Sequence, residues 1–371
     1  MADALEDIRV LDFSRVLAGP FATMMLGDFG ATVTKVERPG GGDETRSWGP
    51  PYDERGEATY FESVNRNKQS VVLDLQHPGD VQRARELARE SDVIVENFRP
   101  GVMDRLGLGY EQLRADQPGL IYCSITGFGS GAGAQLPGYD LLVQALGGLM
   151  SITGEPDGPP QKVGVALVDV LAGLFATVGI MAALRHRDAG GNGQLVEVNL
   201  LSALLGALVN QGSAYTIAGV VPGRMGNEHP SIAPYAPFPT AEGELVVAVG
   251  NERQFSALCQ VLDAPELAQD PRFDSNSGRV DNRQALHEAL GARLAARQAV
   301  EWARLLTDAR VPAGVVNDVR GAFELAQTLG LAPTVSIARD DGSEVLLTRN
   351  PVALSRTPAS YRSAPPSLPR D

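Results

Sequence analysis

The chain has 371 residues, enough for two domains and a sizeable core, and a formal net charge of −13. That charge argues against non-specific binding to nucleic acid or to an anionic membrane, though local arginines can still hold an anionic small ligand. Only two cysteines occur, Cys123 and Cys259. With the acidic start and its lack of a signal-peptide layout, this argues against a disulfide framework and points to a reducing, cytoplasmic setting.

In chain order, residues 8–13 are patterned as a strand and 20–28 as a helix with proline in its first turn. Strands are expected at 32–38, 70–75, 92–97 and 120–125, with a helix over 78–90; Cys123 falls inside the last of these strands and reads as structural. Strands alternating with helices predict an α/β fold, a Rossmann-like large domain with a mostly parallel sheet. Helices follow at 139–150, 168–186 and 199–218, with a strand at 194–198 between the last two.

Near Val221-Pro-Gly-Arg-Met-Gly-Asn-Glu-His-Pro230 the texture turns Pro/Gly-rich, as at a boundary. A strand at 244–249 and helices at 282–297 and 300–309 come next. From Val311 the pattern is β-like, with Asp341-Gly342 as a hairpin signal. The expected organisation is a large domain over 1–195, a linker over 196–224, a smaller inserted α+β domain over 225–325, and a return segment over 326–371.

Asp169 interrupts an otherwise uncharged run, residues 163–184. The run is long enough to raise a transmembrane reading, which needs about 20 apolar residues. Its aspartate and glycines, and a second apolar run at 198–209 broken by Asn199 and Ser202, favour a core helix instead, so no membrane partner is expected. An unpaired buried carboxylate costs several kcal/mol, so it is capped, protonated or used. It can be the N-cap of a helix starting at Val170, or a nucleophile, and an oriented, ionised carboxylate at a helix start serves both.

The first strand-to-helix turn, Ser14-Arg-Val-Leu-Ala-Gly-Pro20, lacks the glycine fingerprint of a nicotinamide site, and no Walker A or Gly-x-Ser-x-Gly sequence occurs. His77, His186, His229 and His287 are scattered, so no metal is expected. At strand ends, Arg38 precedes Gly40-Gly-Gly-Asp43, and Asn97-Phe98 leads through Arg99-Pro-Gly101 to Arg105. Such sets hold phosphate and stack on a purine, or they are surface arginines and a capping asparagine.

Several segments together resemble family III of the CoA-transferases, the group of formyl-CoA transferase and carnitine CoA-transferase. They include Val10-Leu-Asp-Phe-Ser-Arg-Val-Leu-Ala-Gly-Pro20, Gly30-Ala-Thr-Val-Thr-Lys-Val-Glu-Arg-Pro-Gly40, Val95-Glu-Asn-Phe-Arg-Pro-Gly101, Gly138-Tyr-Asp-Leu-Leu-Val-Gln144, Gly193-Gln-Leu-Val-Glu-Val198 and Gly226-Asn-Glu-His-Pro230. The resemblance implies that Asp169, within Gly164…Asp169…Gly173, is the nucleophile. Its carboxylate would pass through an acyl anhydride and an aspartyl-CoA thioester. It further implies CoA contacts from Val16, Arg38, Leu73, Asn97, Phe98, Arg105 and Tyr139, and a loop over the site at Gly250-Asn251, which can also be a simple turn with Asn251 as N-cap.

Acyl-CoA and a carboxylic acid are the implied substrates, with no nicotinamide, and an interlocked homodimer is the implied assembly. The family's formyl-specific glutamine is replaced by Leu17, and a lysine of its CoA site by Gln76; the family's terminal helix has no counterpart before Asp371. The leading reading is an acyl-CoA:carboxylate CoA-transferase; without the formyl-type glutamine a larger acid is expected, such as that of a succinyl-CoA-dependent dicarboxylate transferase. The alternatives are an α-methylacyl-CoA racemase, a non-catalytic CoA-binding subunit and, at the level of fold alone, a nicotinamide dehydrogenase. A racemase needs a histidine where this chain has Tyr139, and a tyrosine of pKa about 10 is a poor base at neutral pH.

Overall fold

The structure is a computed structural model and describes residues 3–369. The described residues divide into two compact units, the first being residues 3–149, 162–221 and 332–369 and the second 150–161 and 222–331.

The first unit is built on six parallel strands: β1 (Arg9–Asp12), β2 (Thr32–Glu37), β3 (Lys68–Val72), β4 (Val93–Glu96), β5 (Ile121–Thr126) and β6 (Leu195–Asn199). Their order is β3-β2-β1-β4-β5-β6, with Val10 opposite Val33 on one side and Val93 on the other. Side chains alternate between faces, and both faces are apolar because both are covered. Val10, Val33, Val95, Ile121 and Cys123 pack on one side with α1 (Ala18–Asp28). Leu11, Phe13, Val36, Ile94 and Tyr122 pack on the other with α2 (Pro78–Arg89).

Three further helices complete the side of α1: α3 (Asp140–Leu146), α4 (Leu167–Asp188) and α5 (Leu200–Ala207), after which α6 (Val209–Ala218) leads away. Helix α4 is long and apolar enough to cross a membrane. Here its Val168, Ala172, Ala176, Ile180 and Ala183 stripe is buried in the sheet's core, while Leu174, Phe175, Val178 and Met181 are exposed. Strands Thr334–Ala338 and Glu344–Thr348 form an antiparallel hairpin turning at Gly342, whose φ is 83°.

The second unit has an antiparallel three-stranded sheet, Tyr235–Pro239, Glu244–Ala248 and Ala313–Val315, covered by helices that include Glu252–Val261, Arg283–Leu294 and Ala299–Asp308. Phe238, Leu245, Phe255, Leu258, Leu290 and Trp302 are in its core.

Several expectations change. Residues 196–224 are not a linker: Leu195–Asn199 is the sixth strand of the large sheet, and Leu200 and Leu204 are buried in that core. The expected helix over 199–218 is two helices bent by 84° at Leu208, with Val209 at a φ of 39°. Gly206, two residues before the break, is a glycine in a helix interior, where it weakens the helix. The β-like stretch after Val311 contains the helix Val319–Thr328, started by Asp318, whose side chain accepts from the Gly321 N–H at 2.7 Å. Strand β3 begins at Lys68, two residues before the apolar run, because Lys68 is itself buried.

Candidate functional site

The carboxyl ends of β1 and β4 lie side by side where the strand order reverses, the position at which open α/β sheets bind ligands. The loop leaving β1 is strained: Val16, a β-branched residue, has a φ of 70°. Asn97 clamps the preceding residue in both directions, accepting from the Arg15 N–H at 2.9 Å and donating to the Arg15 carbonyl at 2.7 Å. The Asp43 carboxylate accepts from the Val16 N–H at 3.3 Å, and Lys35 Nζ donates to the Ser14 carbonyl at 2.9 Å.

Beneath that loop is a buried ionic network. Lys35 pairs with Asp43 at 2.9 Å and Lys68 with Asp12 at 3.1 Å, all four side chains being fully buried. Thr23 Oγ1 donates to Asp12 at 2.6 Å, and the Ser14 hydroxyl donates to it as well. Burial opposes the charge on Asp12, yet Lys68 and Lys35 hold its carboxyl below the ordinary range. Burial likewise opposes the Asp43 charge and is outweighed by Lys35. Lys68 is the member for which burial wins, bringing it down to about 8.

Three cavities open at this end of the sheet. One of about 260 Å³ is lined by Phe13, Arg15, Arg38, Leu73, Leu75 and Phe98. A second, about 210 Å³, is lined by Arg15, Val16, Leu17, Trp48, Tyr139 and Asp169. A third of about 100 Å³ lies between Asn97, Phe98, Gly127, Gly138 and Asp169. Glycines allow its walls to close up: a Cβ on Gly127 would sit 2.4 Å from the Gly138 Cα. Gly173 does the same for α4, since a Cβ there would lie 2.6 Å from the Ala18 carbonyl oxygen, and this approach sets Asp169 beside the start of α1.

Asp169 is not the N-cap of its helix. Helix α4 starts at Leu167 after Ala166, which offers no side-chain cap, so Asp169 is the third residue of the first turn. The cap comes from a distant segment: Asp140 Oδ1 accepts from the Val168 N–H at 2.8 Å and the Asp169 N–H at 3.3 Å. Gln144 steadies that carboxylate, donating to Asp140 Oδ2 at 2.6 Å and accepting from the Val163 N–H at 2.9 Å.

The Asp169 carboxylate itself has no hydrogen-bond partner among the described residues. Its half-buried site pushes its pKa up to about 7, first through burial and then through the negative charge of Asp140. The positive end of the α4 dipole favours the ionised form but does not outweigh these two effects. The expectation of a fully ionised carboxylate therefore changes to one that titrates near neutrality. Tyr60 is pushed up to about 12 by burial and then by the charges of Asp169 and Asp140, so it stays a neutral donor, with Trp48 edge-on to its ring at 5.5 Å.

Of the residues singled out in the sequence, Val16, Arg38, Leu73, Asn97, Phe98 and Tyr139 all line these cavities. The Asn97 amide is spent on Arg15, which makes it a clamp on the loop. Arg38 Nε donates to the Gly42 carbonyl at 3.1 Å. Arg105 ends the short helix Val102–Arg105 and is exposed, outside the three cavities. Gly250 and Asn251 lie in the second unit, where Asn251 is the N-cap of Glu252–Val261, accepting from the Gln254 N–H at 3.0 Å.

Sequence reasoning missed Arg15, Trp48 and Tyr60, and quoted Asp140 only within the segment Gly138–Gln144. The one available signal was Asp140 followed four residues later by Gln144, a helical pair that can lock a carboxylate. Among the described residues no group of three His, Cys, Asp or Glu side chains converges as a metal ion needs.

The model of CoA-transferase family III matches residues 5–371. Among named relatives, a succinate–glutarate CoA-transferase of Agrobacterium fabrum is 42% identical, the match covering 98% of this chain and 92% of the relative. A succinyl-CoA:glutarate CoA-transferase of Mus musculus is 43% identical over 98% of this chain and 84% of its own length. An acetyl-CoA:oxalate CoA-transferase of Acetobacter aceti is 42% identical over 94% and 89%. The crystal structure of a CAIB/BAIF family protein from Brucella suis superposes with a TM-score of 0.88 at 40% identity, covering 99% of this chain and 97% of that one. The chain belongs to CoA-transferase family III, enzymes that move CoA from an acyl-CoA to a free carboxylic acid.

Proposed function

We propose that Asp169 carries the transfer as a covalent nucleophile and that the acids exchanged are dicarboxylic, with succinyl-CoA as donor. The observation that carries this reading is a half-buried carboxylate, without a hydrogen-bond partner, opening into two of the cavities at the sheet's switch point. Its ionised form attacks the thioester carbonyl; the carbonyl electrons move onto oxygen and return as the CoA thiolate leaves, giving a mixed anhydride. The thiolate then attacks the Asp169 carbonyl carbon and releases the donor acid, leaving an aspartyl-CoA thioester. The acceptor carboxylate attacks that carbonyl and expels the thiolate. In the last step the thiolate attacks the acceptor's acyl carbon and Asp169 leaves as carboxylate.

Each tetrahedral oxygen needs a donor. Ala18, beside Asp169 in the same small cavity, is the first residue of α1, whose start has no side-chain cap, and its N–H is suited to that role. A raised pKa suits the nucleophile, because a less stabilised carboxylate attacks more readily while remaining partly ionised at neutral pH.

The dicarboxylate assignment is supported by the names of the relatives. The same reading includes a homodimer, supported by the exposed apolar face of α4 at Leu174, Phe175, Val178 and Met181. To test the substrates, the protein is incubated with succinyl-CoA and, in turn, glutarate, mesaconate, oxalate and a monocarboxylic acid, and the CoA products are read by mass spectrometry. Glutaryl-CoA formation well above the monocarboxylate product is expected; transfer to the monocarboxylate alone would rule out the dicarboxylate assignment.

A further inference from the structure

The cavity beside Arg38 and Leu73 and the cavities beside Asp169 are separated by two side chains. Arg15 lines both the 260 Å³ and the 210 Å³ cavity. Phe98 lines the 260 Å³ and the 100 Å³ cavity. The two are stacked, with the Arg15 guanidinium carbon 4.9 Å from the Phe98 ring centroid. The Arg15 main chain is fixed by Asn97, so only its side chain is free to turn.

In this structure that side chain is neutralised by Glu44, with Arg15 Nη1 donating to Glu44 Oε1 at 2.7 Å. The pair is incomplete. Arg15 Nε and Glu44 Oε2 are both buried and have no hydrogen-bond partner among the described residues. A half-exposed ion pair with one unpaired atom on each side is a weak contact, easily exchanged for a better one.

We propose that Arg15 is a gate and CoA-binding residue that exchanges Glu44 for the diphosphate of CoA. The inference rests on the reading that the thioester sits at Asp169 and the nucleotide beside Leu73 and Arg38. A ligand spanning both cavities must pass Arg15, and the anionic section between the adenosine and the pantetheine arm is the diphosphate. Turning from Glu44, the guanidinium keeps its stack on Phe98 and offers its fork to two phosphate oxygens, a geometry that suits arginine and not lysine. Entry of CoA thereby joins the two cavities, and departure of CoA closes them again.

The test is steady-state kinetics with succinyl-CoA at saturating glutarate, beside calorimetric titration with free CoA. Arg15→Met is expected to raise KM for succinyl-CoA by about ten- to a hundredfold, the loss of a hydrogen bond between charged groups, with kcat within about twofold of wild type. Arg15→Lys is expected to recover part of that loss, and Glu44→Gln, which removes the competitor, to lower KM severalfold.

A structural role for Arg15 would distort the Val16–Ala18 loop along the Asp169 cavity and lower kcat. A fall in kcat at unchanged KM therefore overturns the proposal, as does an unchanged or raised KM in Glu44→Gln. If the wild-type chain transferred CoA to no acid, the reading of Asp169 would fail. The affinity of Arg15→Met for free CoA would still decide the gate.

Discussion

Asp169 and Asp140 stand at the start of one helix, and their proximity has a consequence for pH. The Asp169 carboxyl lies near 7 because burial and then the Asp140 charge disfavour ionisation. Only the ionised form attacks, so the rate at low substrate rises with pH through about 7. Asp140→Asn keeps an acceptor for the Val168 and Asp169 N–H groups but removes the like charge, so the midpoint of that profile moves to lower pH. A pH–rate series on both proteins checks this; an unmoved midpoint contradicts it.

The same shift bears on stability. The folded state holds the Asp169 proton more tightly than the unfolded chain does, so its contribution declines as pH rises from about 4 to above 7. After allowance for solvent screening of a half-buried group, Asp169→Asn is expected to stabilise the fold by roughly 1–3 kcal/mol at pH 8 and by little at pH 4. Denaturant melts at the two pH values measure it. Loss of transfer with a gain of stability would mark a residue kept for chemistry. The importance of Asp169 was legible in the sequence, since a charge in an uncharged run demands a reason. The carboxylate that raises its pKa was not, because Asp140 is 29 residues away in the chain.

At the scale of elements, the β1–α1 loop is shaped from beneath by buried charge. Lys35 neutralises Asp43 and Asp12 and also holds the Ser14 carbonyl. Lys35→Met leaves two buried carboxylates short of a partner, and a cost of about 3–5 kcal/mol is expected, checked by urea unfolding. A change below about 1 kcal/mol would mean the network relaxes without it.

The parallel strands were legible because both faces of the sheet are covered, leaving near-continuous apolar runs. The buried end of β3 was not, because Lys68 reads as a surface residue until its ion pair with Asp12 is seen. The break at Leu208 was passed over because Gly206 and Gly212 are isolated glycines, which helical patterns also tolerate. Motif resemblance carried the site further than periodicity did. It pointed to Val16, Arg38, Leu73 and Phe98, while their neighbours Arg15 and Trp48 emerge only from the way the strand ends meet.

For the whole molecule, the exposed side of α4 is an apolar stripe on a chain of net charge −13. An apolar stripe that holds together two copies of so acidic a chain must outweigh their mutual repulsion, and a second copy is the partner proposed for it. Sedimentation at micromolar concentration is expected to give a dimer, and Phe175→Asp with Val178→Asp a smaller species. A wild-type monomer would contradict this.

The central claim is that CoA passes through a covalent bond to Asp169. The most direct measurement is to mix the enzyme with succinyl-CoA, trap with hydroxylamine, and map the modified peptide by mass spectrometry. A hydroxamate on Asp169, formed only when the acyl-CoA is present, is the predicted result. Active transfer of CoA with Asp169 unmodified, or with the hydroxamate on another residue, would contradict it.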